Sequence, residues 1–538
     1  MTKSSETKRN SFKTILIPFF IGLSIALGML LGRYFGYKKS TEPFIIYPRA
    51  EKLTNVVNYI VQDYVDPLNK DEIVEKAIPI ILEELDPHSQ YIPAKDLTTV
   101  NEPLEGNFSG IGIQFNMLKD TLMVIKTIAN GPSEKVGILA GDRIITVDGD
   151  TVAGVKISSD SIVKRLKGPR GTQVNVGISR KSIDDLLNFD ITRDNIPLYS
   201  VDIAYMIDDT TGYIYVSKFA RTTFNEFVNA VTSLRAKEMK NLILDLRNNG
   251  GGYLDAAVNI ADQFLPENKL IVYTEGNARK RQDYLSTRGG ICLGLDVAVL
   301  IDEGSASASE ILAGALQDND IGTIIGRRSF GKGLVQEQQR LSDGSAIRLT
   351  VARYYTPTGR CIQKPYTNGN SDYYSEIAER YYHGELMEED SIHFNDSLKY
   401  VTPGGKVVYG GGGIMPDIFV PIDTSDFTPY LGQIRNRGII YKFALEYTDK
   451  HRADLEKYSD VDDIIKYLDK KNALNEMIRY AKKNKIEPNY EEIAISKEIL
   501  RIELYAYIAR NLLDNEGFYP IIAKIDKMLK TAKKTLEE

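Results

Sequence analysis

The block Ser305-Ala306-Ser307-Ala308-Ser309-Glu310, followed by a lysine between glycines at Phe330-Gly331-Lys332-Gly333, holds the residue types that nucleophilic catalysis needs. Val297-Ala298-Val299-Leu300-Ile301 reads as a buried strand, and the apolar run from Glu310 onward reads as a helix. Ser307 then falls in a strand-to-helix turn, where an α/β protein can expose a nucleophile beside free backbone N–H groups. A serine hydroxyl attacks only if a neighbour takes its proton, and the chain has just four histidines to offer. Lys332 is the better base. An ordinary lysine, with a pKa of about 10.4, is protonated at neutral pH. Burial disfavours the ammonium and can bring it to about 7–8, where it serves as a general base. Ser329–Gln336 carries no other charge, which suits such burial. If Leu334–Gln338 continues as a strand, Lys332 and Gln336 share a face and the amide can orient the amine, while Glu337 points the other way.

Acyl transfer also needs donors for a developing oxyanion. The Ala308 N–H at the helix start is one, and the glycines 250–252, which end the apolar strand 241–246, are the natural source of a second. Within the serine block, Ser305 is an alternative nucleophile. Ser309 reads as a helix N-cap, and Glu310 suits the positive end of the helix.

Two rival chemistries are weaker. Gly326-Arg-Arg-Ser-Phe-Gly331-Lys332 follows a phosphate-binding loop up to its lysine, but Gly333 stands where that loop needs Ser or Thr to hold magnesium. A Ser-His-Asp triad would need an organised histidine. His383, His393 and His451 lie in polar or helical surroundings, and His88, in Asp86-Pro87-His88-Ser89, reads as structural. There is no Gly-x-Ser-x-Gly around Ser307, no His-Glu-x-x-His, and no metal-ligand spacing around Cys292 or Cys361, so neither metal nor cofactor is expected. Those two cysteines are equally compatible with one bridge and with two free thiols.

These residues must be positioned by a chain of 538 residues, long enough for several domains. It is 43% apolar with a formal charge of −6, which gives no reason to expect nucleic-acid binding. Residues 14–32 carry no charge and are flanked by basic residues; about 20 apolar residues cross a bilayer, so an uncleaved anchor is expected, with a cleaved signal as the alternative. The basic flank before the span places the remainder outside the cytoplasm. Helical periodicity covers 51–85, β-rich runs between glycine turns cover about 105–180, and alternating β and α elements from about 197 imply a layered, mostly parallel sheet. A tyrosine-rich polar segment near 366–405 reads as a surface insertion, and 430–538 as helical.

Gly110-Ile111-Gly112-Ile113 and Ser133–Gly149 resemble the carboxylate-binding loop and the helix-turn-strand signature of PDZ domains. Asp86-Pro87-His88-Ser89, that PDZ segment, Asp245-Leu-Arg-Asn-Asn-Gly-Gly, the serine block, Phe330–Gly333 and Gly413-Ile414-Met415-Pro416-Asp417-Ile418 occur in the order seen in C-terminal processing peptidases, tail-specific serine proteases with a Ser-Lys pair. The resemblance spans roughly 86–420. It implies Ser307 as nucleophile, Lys332 as base, Gln336 as the residue orienting it, Gly251 beside Ala308 in the oxyanion hole, and a loop at Gly110, Ile111, Gly112 and Ile113 that holds a substrate's C-terminus. The fold expected is α+β or α/β and multidomain: an anchor or signal (1–40), a helical region (41–100), a PDZ domain (101–185), an α/β protease core (186–425) and a helical C-terminal region (426–538). Protein substrates with free apolar C-termini outside the cytoplasm are implied, with a homo-oligomer or adaptor possible. A membrane-anchored PDZ scaffold with a dead hydrolase domain is the non-enzyme alternative.

Overall fold

The computed structural model describes residues 22, 24, 25, 27–29 and 51–538 apart from 182, 368, 393 and 394. The expected anchor over 14–32 therefore lies largely outside the described residues, as does His393. Among the described residues no helix is long and apolar enough to cross a membrane. The chain divides into two compact units, Met1–Ile78 and Pro79–Glu538. The first contains the helix Glu51–Asp63 and the start of the helix Lys70–Glu83.

In the second unit, the PDZ segment is an antiparallel sheet of Ile113–Met117, Leu122–Thr127, Arg143–Val147, Gln173–Ser179 and Leu187–Thr192, with the helix Ser159–Leu166. Its last strand runs past residue 185. Asp194–Pro197 then pairs with Asn107–Gly110, so the domain enters and leaves through one two-stranded stem.

The core sheet runs in the order Val201–Met206, Thr211–Val216, Asn241–Asp245, Asp296–Ile301, Gly322–Gly326, Ile418–Phe419, with every pairing after the first parallel. Its central strands are unbroken apolar runs because both faces are covered. Leu242, Leu244, Val297 and Val299 pack toward helices Thr223–Arg235, Leu254–Asp262 and Ala308–Asp318 through Phe227, Ile260 and Leu312. Ile243, Ala298, Leu300 and Ile325 face the other way, against Met528, Leu529 and Ala532 of the terminal helix Lys527–Glu537. Each fully buried Leu, Ile or Val among these is worth roughly 1.5–3 kcal/mol. The C-terminal region thus completes the protease core. Its remaining helices, Pro429–Asn436 to Asn515–Ile522, have their own apolar centre. They also touch the PDZ sheet: Leu445 packs on Met123 and Ile125, and Asp449 pairs with Arg143 at 2.9 Å.

A second, antiparallel sheet carries Gln90–Ile92, Leu334–Arg340, Ala346–Tyr355, Leu270–Glu275 and Gln282–Leu285. The insertion contains the helix Asn370–Tyr382 and a hairpin, Lys399–Val401 with Val407–Tyr409. It is not merely a surface decoration, since Tyr373 and Arg380 are buried. Cys292 and Cys361 are both free thiols.

Candidate active site

Ser307 caps the helix Ala308–Asp318 with φ 56° and ψ −112°, a left-handed conformation that a non-glycine residue adopts only when its surroundings enforce it. The enforcing bonds come from its neighbours. Ser305 is fully buried and donates its hydroxyl to the Leu246 carbonyl (2.8 Å). Ser309, also buried, donates to the Asn249 carbonyl at 2.8 Å, and Ala306 N–H donates to that same carbonyl at 2.9 Å. Ser305 is therefore unavailable as a nucleophile, and Ser309 is not the N-cap, a position Ser307 itself holds. The two flanking serines rivet the turn to the loop after Asn241–Asp245.

That loop supplies the glycines. Asn249 Nδ2 donates to the Val216 carbonyl at 2.8 Å, while its Oδ1 accepts the Gly251 N–H at 2.9 Å. A Cβ on Gly251 would lie 2.8 Å from Ser307 Cβ and 2.9 Å from Ala308 N, at a φ of +98°. The Ala308 N–H has no acceptor among the described residues and faces the loop. Gly251 is thus brought against Ser307, but its own N–H is committed to Asn249. Gly251→Ala should cut turnover at least about 100-fold with the enzyme still folded, measured as kcat on a peptide substrate, because the methyl must displace the nucleophile or the Ala308 donor.

Lys332 and Gln336 are also brought together. Lys332 Nζ donates to Gln336 Oε1 at 3.0 Å, and Gln336 Nε2 donates to the His88 carbonyl at 2.5 Å, which sets the amide with its oxygen toward the amine. Burial, then the Arg348 guanidinium, holds the Lys332 ammonium below the usual lysine range. Glu337 faces outward and pairs with Arg279. Nζ bonds to Gln336 and not to Ser307 Oγ in this state, yet both side chains line one cleft of about 530 Å³. Catalytic hydrogen bonds of this kind commonly tighten only when substrate is bound.

Two groups not assigned to the site from the sequence join the Ser307 turn to the Lys332 loop. Glu310 is fully buried. Its Oε2 accepts the N–H of Ser307 (2.8 Å) and of Lys332 (2.9 Å), and its Oε1 accepts Gly331 N–H (2.8 Å) and Ser329 Oγ (2.5 Å). Tyr354, from the neighbouring strand, turns its hydroxyl toward the carbonyls of both Ser307 (3.0 Å) and Lys332. Glu310 had a signal in its place three residues after Ser307, the spacing of a capping box. Tyr354 had none. The Gly413–Ile418 motif buttresses the same loop, for Ser329 Oγ accepts Ile414 N–H at 2.7 Å.

The cleft is roofed by the helix Leu97–Glu105, whose Glu105 takes two bonds from Arg221 (2.9 and 3.1 Å) and one from Tyr253 (3.0 Å). Gly106 follows directly and leads into the PDZ stem. At the PDZ loop, the Ile111 carbonyl accepts Ser133 Oγ (2.7 Å) and the Gly112 carbonyl accepts Ile128 N–H (3.0 Å). The N–H groups of Ile111 and Gly112 find no acceptor among the described residues, while Gly110 and Ile113 sit in strand pairs.

A PDZ domain ahead of a layered α/β core, with a partly exposed serine in a strand-to-helix turn, is the arrangement a serine-type peptidase would use. Family models match in the same places: a PDZ domain over residues 109–192, peptidase family S41 over 210–370, and a family of unknown function over 430–514. A carboxy-terminal-processing protease of Bartonella bacilliformis is 36% identical over 324 residues, covering 59% of this chain and 73% of that protein. The carboxyl-terminal-processing protease of Synechocystis is 37% identical over 306 residues, 55% of this chain and 70% of its own. The carboxy-terminal processing protease CtpA of Bacillus subtilis is 32% identical over 317 residues, 59% and 67%. The chain belongs to the carboxy-terminal processing proteases of peptidase family S41.

Proposed function

We propose that the chain is an endopeptidase working by a Ser-Lys acyl-enzyme mechanism, directed to substrates by their C-termini. The observation that carries this reading is the partly buried Lys332–Gln336 pair lining one cleft with Ser307. Lys332, as the neutral amine, takes the Ser307 proton as Oγ attacks the scissile carbonyl, then returns it to the leaving amine. Ala308 N–H is the first oxyanion donor. Gly251 N–H becomes the second if Asn249 Oδ1 releases it on substrate binding. Water, activated by the same lysine, then frees the acyl group.

The free Ile111 and Gly112 N–H groups suit a terminal carboxylate, with the peptide adding a strand along Ile113–Met117. A tail bound there would act on the roof helix through the stem at Gly106 and so open the cleft. Residues 14–32 would anchor the chain in the membrane with the catalytic part outside the cytoplasm, reached by extracytoplasmic proteins; protection of a C-terminal tag from external protease in intact cells contradicts that placement.

The test of tail recognition pairs one protein substrate ending in an apolar residue with its C-terminally amidated form. Amidation removes a charge-assisted contact and should lower kcat/KM about 10–100-fold. Equal rates for the two forms would remove tail recognition. Binding of the tail with no cleavage would favour the scaffold.

A further inference from the structure

The insertion helix Asn370–Tyr382 reaches the site from outside the ordered set of motifs. Its Tyr373 is buried, with the hydroxyl 2.9 Å from His88 Nε2, and the adjacent Tyr374 hydroxyl donates to the Pro87 carbonyl at 2.8 Å. His88 is the residue whose carbonyl receives the Gln336 amide. Burial, then the nearby Lys332 charge, pushes the His88 imidazole down to about 4, so its ring is neutral near pH 7 and can accept from Tyr373. Gln363 completes a circuit: its Nε2 lies 3.4 Å from Tyr373 Oη, and its Oε1 accepts the Gly333 N–H at 2.8 Å. The bonds run from Lys332 through Gln336, His88, Tyr373 and Gln363 back to Gly333, the residue next to the lysine. The other side of the His88 loop is fixed independently. Asp86 accepts His88 N–H (2.8 Å), Ser89 N–H (2.9 Å) and Thr350 Oγ1 (3.0 Å), and Thr350 stands opposite Gln336 in the sheet.

We infer that Tyr373 is a positioning residue for the base: it acts through His88 to hold the Gln336 amide in the orientation that aims the Lys332 amine. The Asp86 bonds secure the loop backbone. Tyr373 adds a further tether, through the imidazole, on the residue whose carbonyl receives the Gln336 amide. A freed Gln336 amide can flip and present its NH₂ to the amine, and a misdirected lone pair lowers turnover without touching substrate binding. The inference rests on the Ser-Lys reading above and extends it to a segment outside the motif set.

The test is a double-mutant cycle in the full-length chain between Tyr373→Phe and Gln336→Ala, with kcat and KM measured on one peptide substrate. Tyr373→Phe removes only the hydroxyl and should lower kcat about tenfold at unchanged KM. In the Gln336→Ala background it should have almost no further effect, because the group it acts through is gone. Tyr382→Phe, on the exposed part of the same helix, serves as the folding control and should match the unsubstituted chain. Wild-type kcat for Tyr373→Phe, or losses that multiply in the double variant, would overturn the inference. If Gln336→Ala itself leaves kcat unchanged, the role of Gln336 fails and this inference falls with it, whereas a loss for Gln336→Ala alone would leave that role standing.

Discussion

Lys332→Ala is expected to lower kcat/KM about 10³-fold or more while leaving the fold intact. General-base catalysis is worth about 10²–10⁴, and no other candidate base is evident beside Ser307 among the described residues. His88, the one histidine nearby, bonds through Nε2 to Tyr373 and offers Gln336 only its carbonyl. The substitution should be structurally mild. Among the described residues the Lys332 side chain makes a single hydrogen bond, to Gln336, and its loop is shaped by backbone N–H groups that donate to the Glu310 carboxylate. Stability should therefore change little, and removing a partly desolvated ammonium can even raise it. Lys332→Arg would not rescue activity, since a guanidinium stays protonated throughout the working range. Retention of more than a tenth of the wild-type rate by Lys332→Ala would mean another group takes the proton.

Glu310→Ala should fail in a different way, losing stability and activity together. Four donors converge on this carboxylate, three amides and a serine hydroxyl. Leaving them unpaired in a buried site should cost on the order of 3–5 kcal/mol, read as a lower denaturant midpoint, with activity down at least about 100-fold. The pH dependence has a definite sign. Burial pushes the Glu310 carboxyl up to about 7 from 4.5. The folded state then binds more protons than the unfolded one between those values, so the contribution of this group to stability grows as pH falls through the window. Activity should move in the opposite direction. A protonated oxygen can no longer accept from every donor that joins Ser307 to Lys332. Falling activity with undiminished stability between pH 7 and 5 is the expected signature, and a parallel loss of both would argue against the clamp.

The sequence made the chemistry more legible than its support. Ser307 could be proposed from a strand end and a helix start, and the ordered motifs gave Lys332 and Gln336 their register. The two are expected to share a strand face, whereas the strand begins only at Leu334, with a register shift before Gln336, and the pair meets through the loop that precedes it. Ser309 was misread as a cap because a serine at a helix start satisfies the same local rule whether it caps the helix or, as here, donates to Asn249 across the turn. His88 reads as structural; its ring bonds to Tyr373 and its carbonyl receives the Gln336 amide. What no local pattern carries is the line of its carbonyl toward Gln336, set by residues 248 positions apart in the chain. Tyr354 and Tyr373 were illegible for the same reason, as was the terminal helix, whose apolar stripe of Met528, Leu529 and Ala532 is plain but does not name the sheet face it covers.

The most direct measurement reacts the full-length chain with a serine-directed fluorophosphonate and locates the adduct by peptide mass mapping, alongside Lys332→Ala. The account predicts a single modified residue, Ser307, whose labelling rate rises with pH and collapses in Lys332→Ala. An adduct on Ser305 or Ser309, or labelling of Ser307 at an unchanged rate without Lys332, would contradict it.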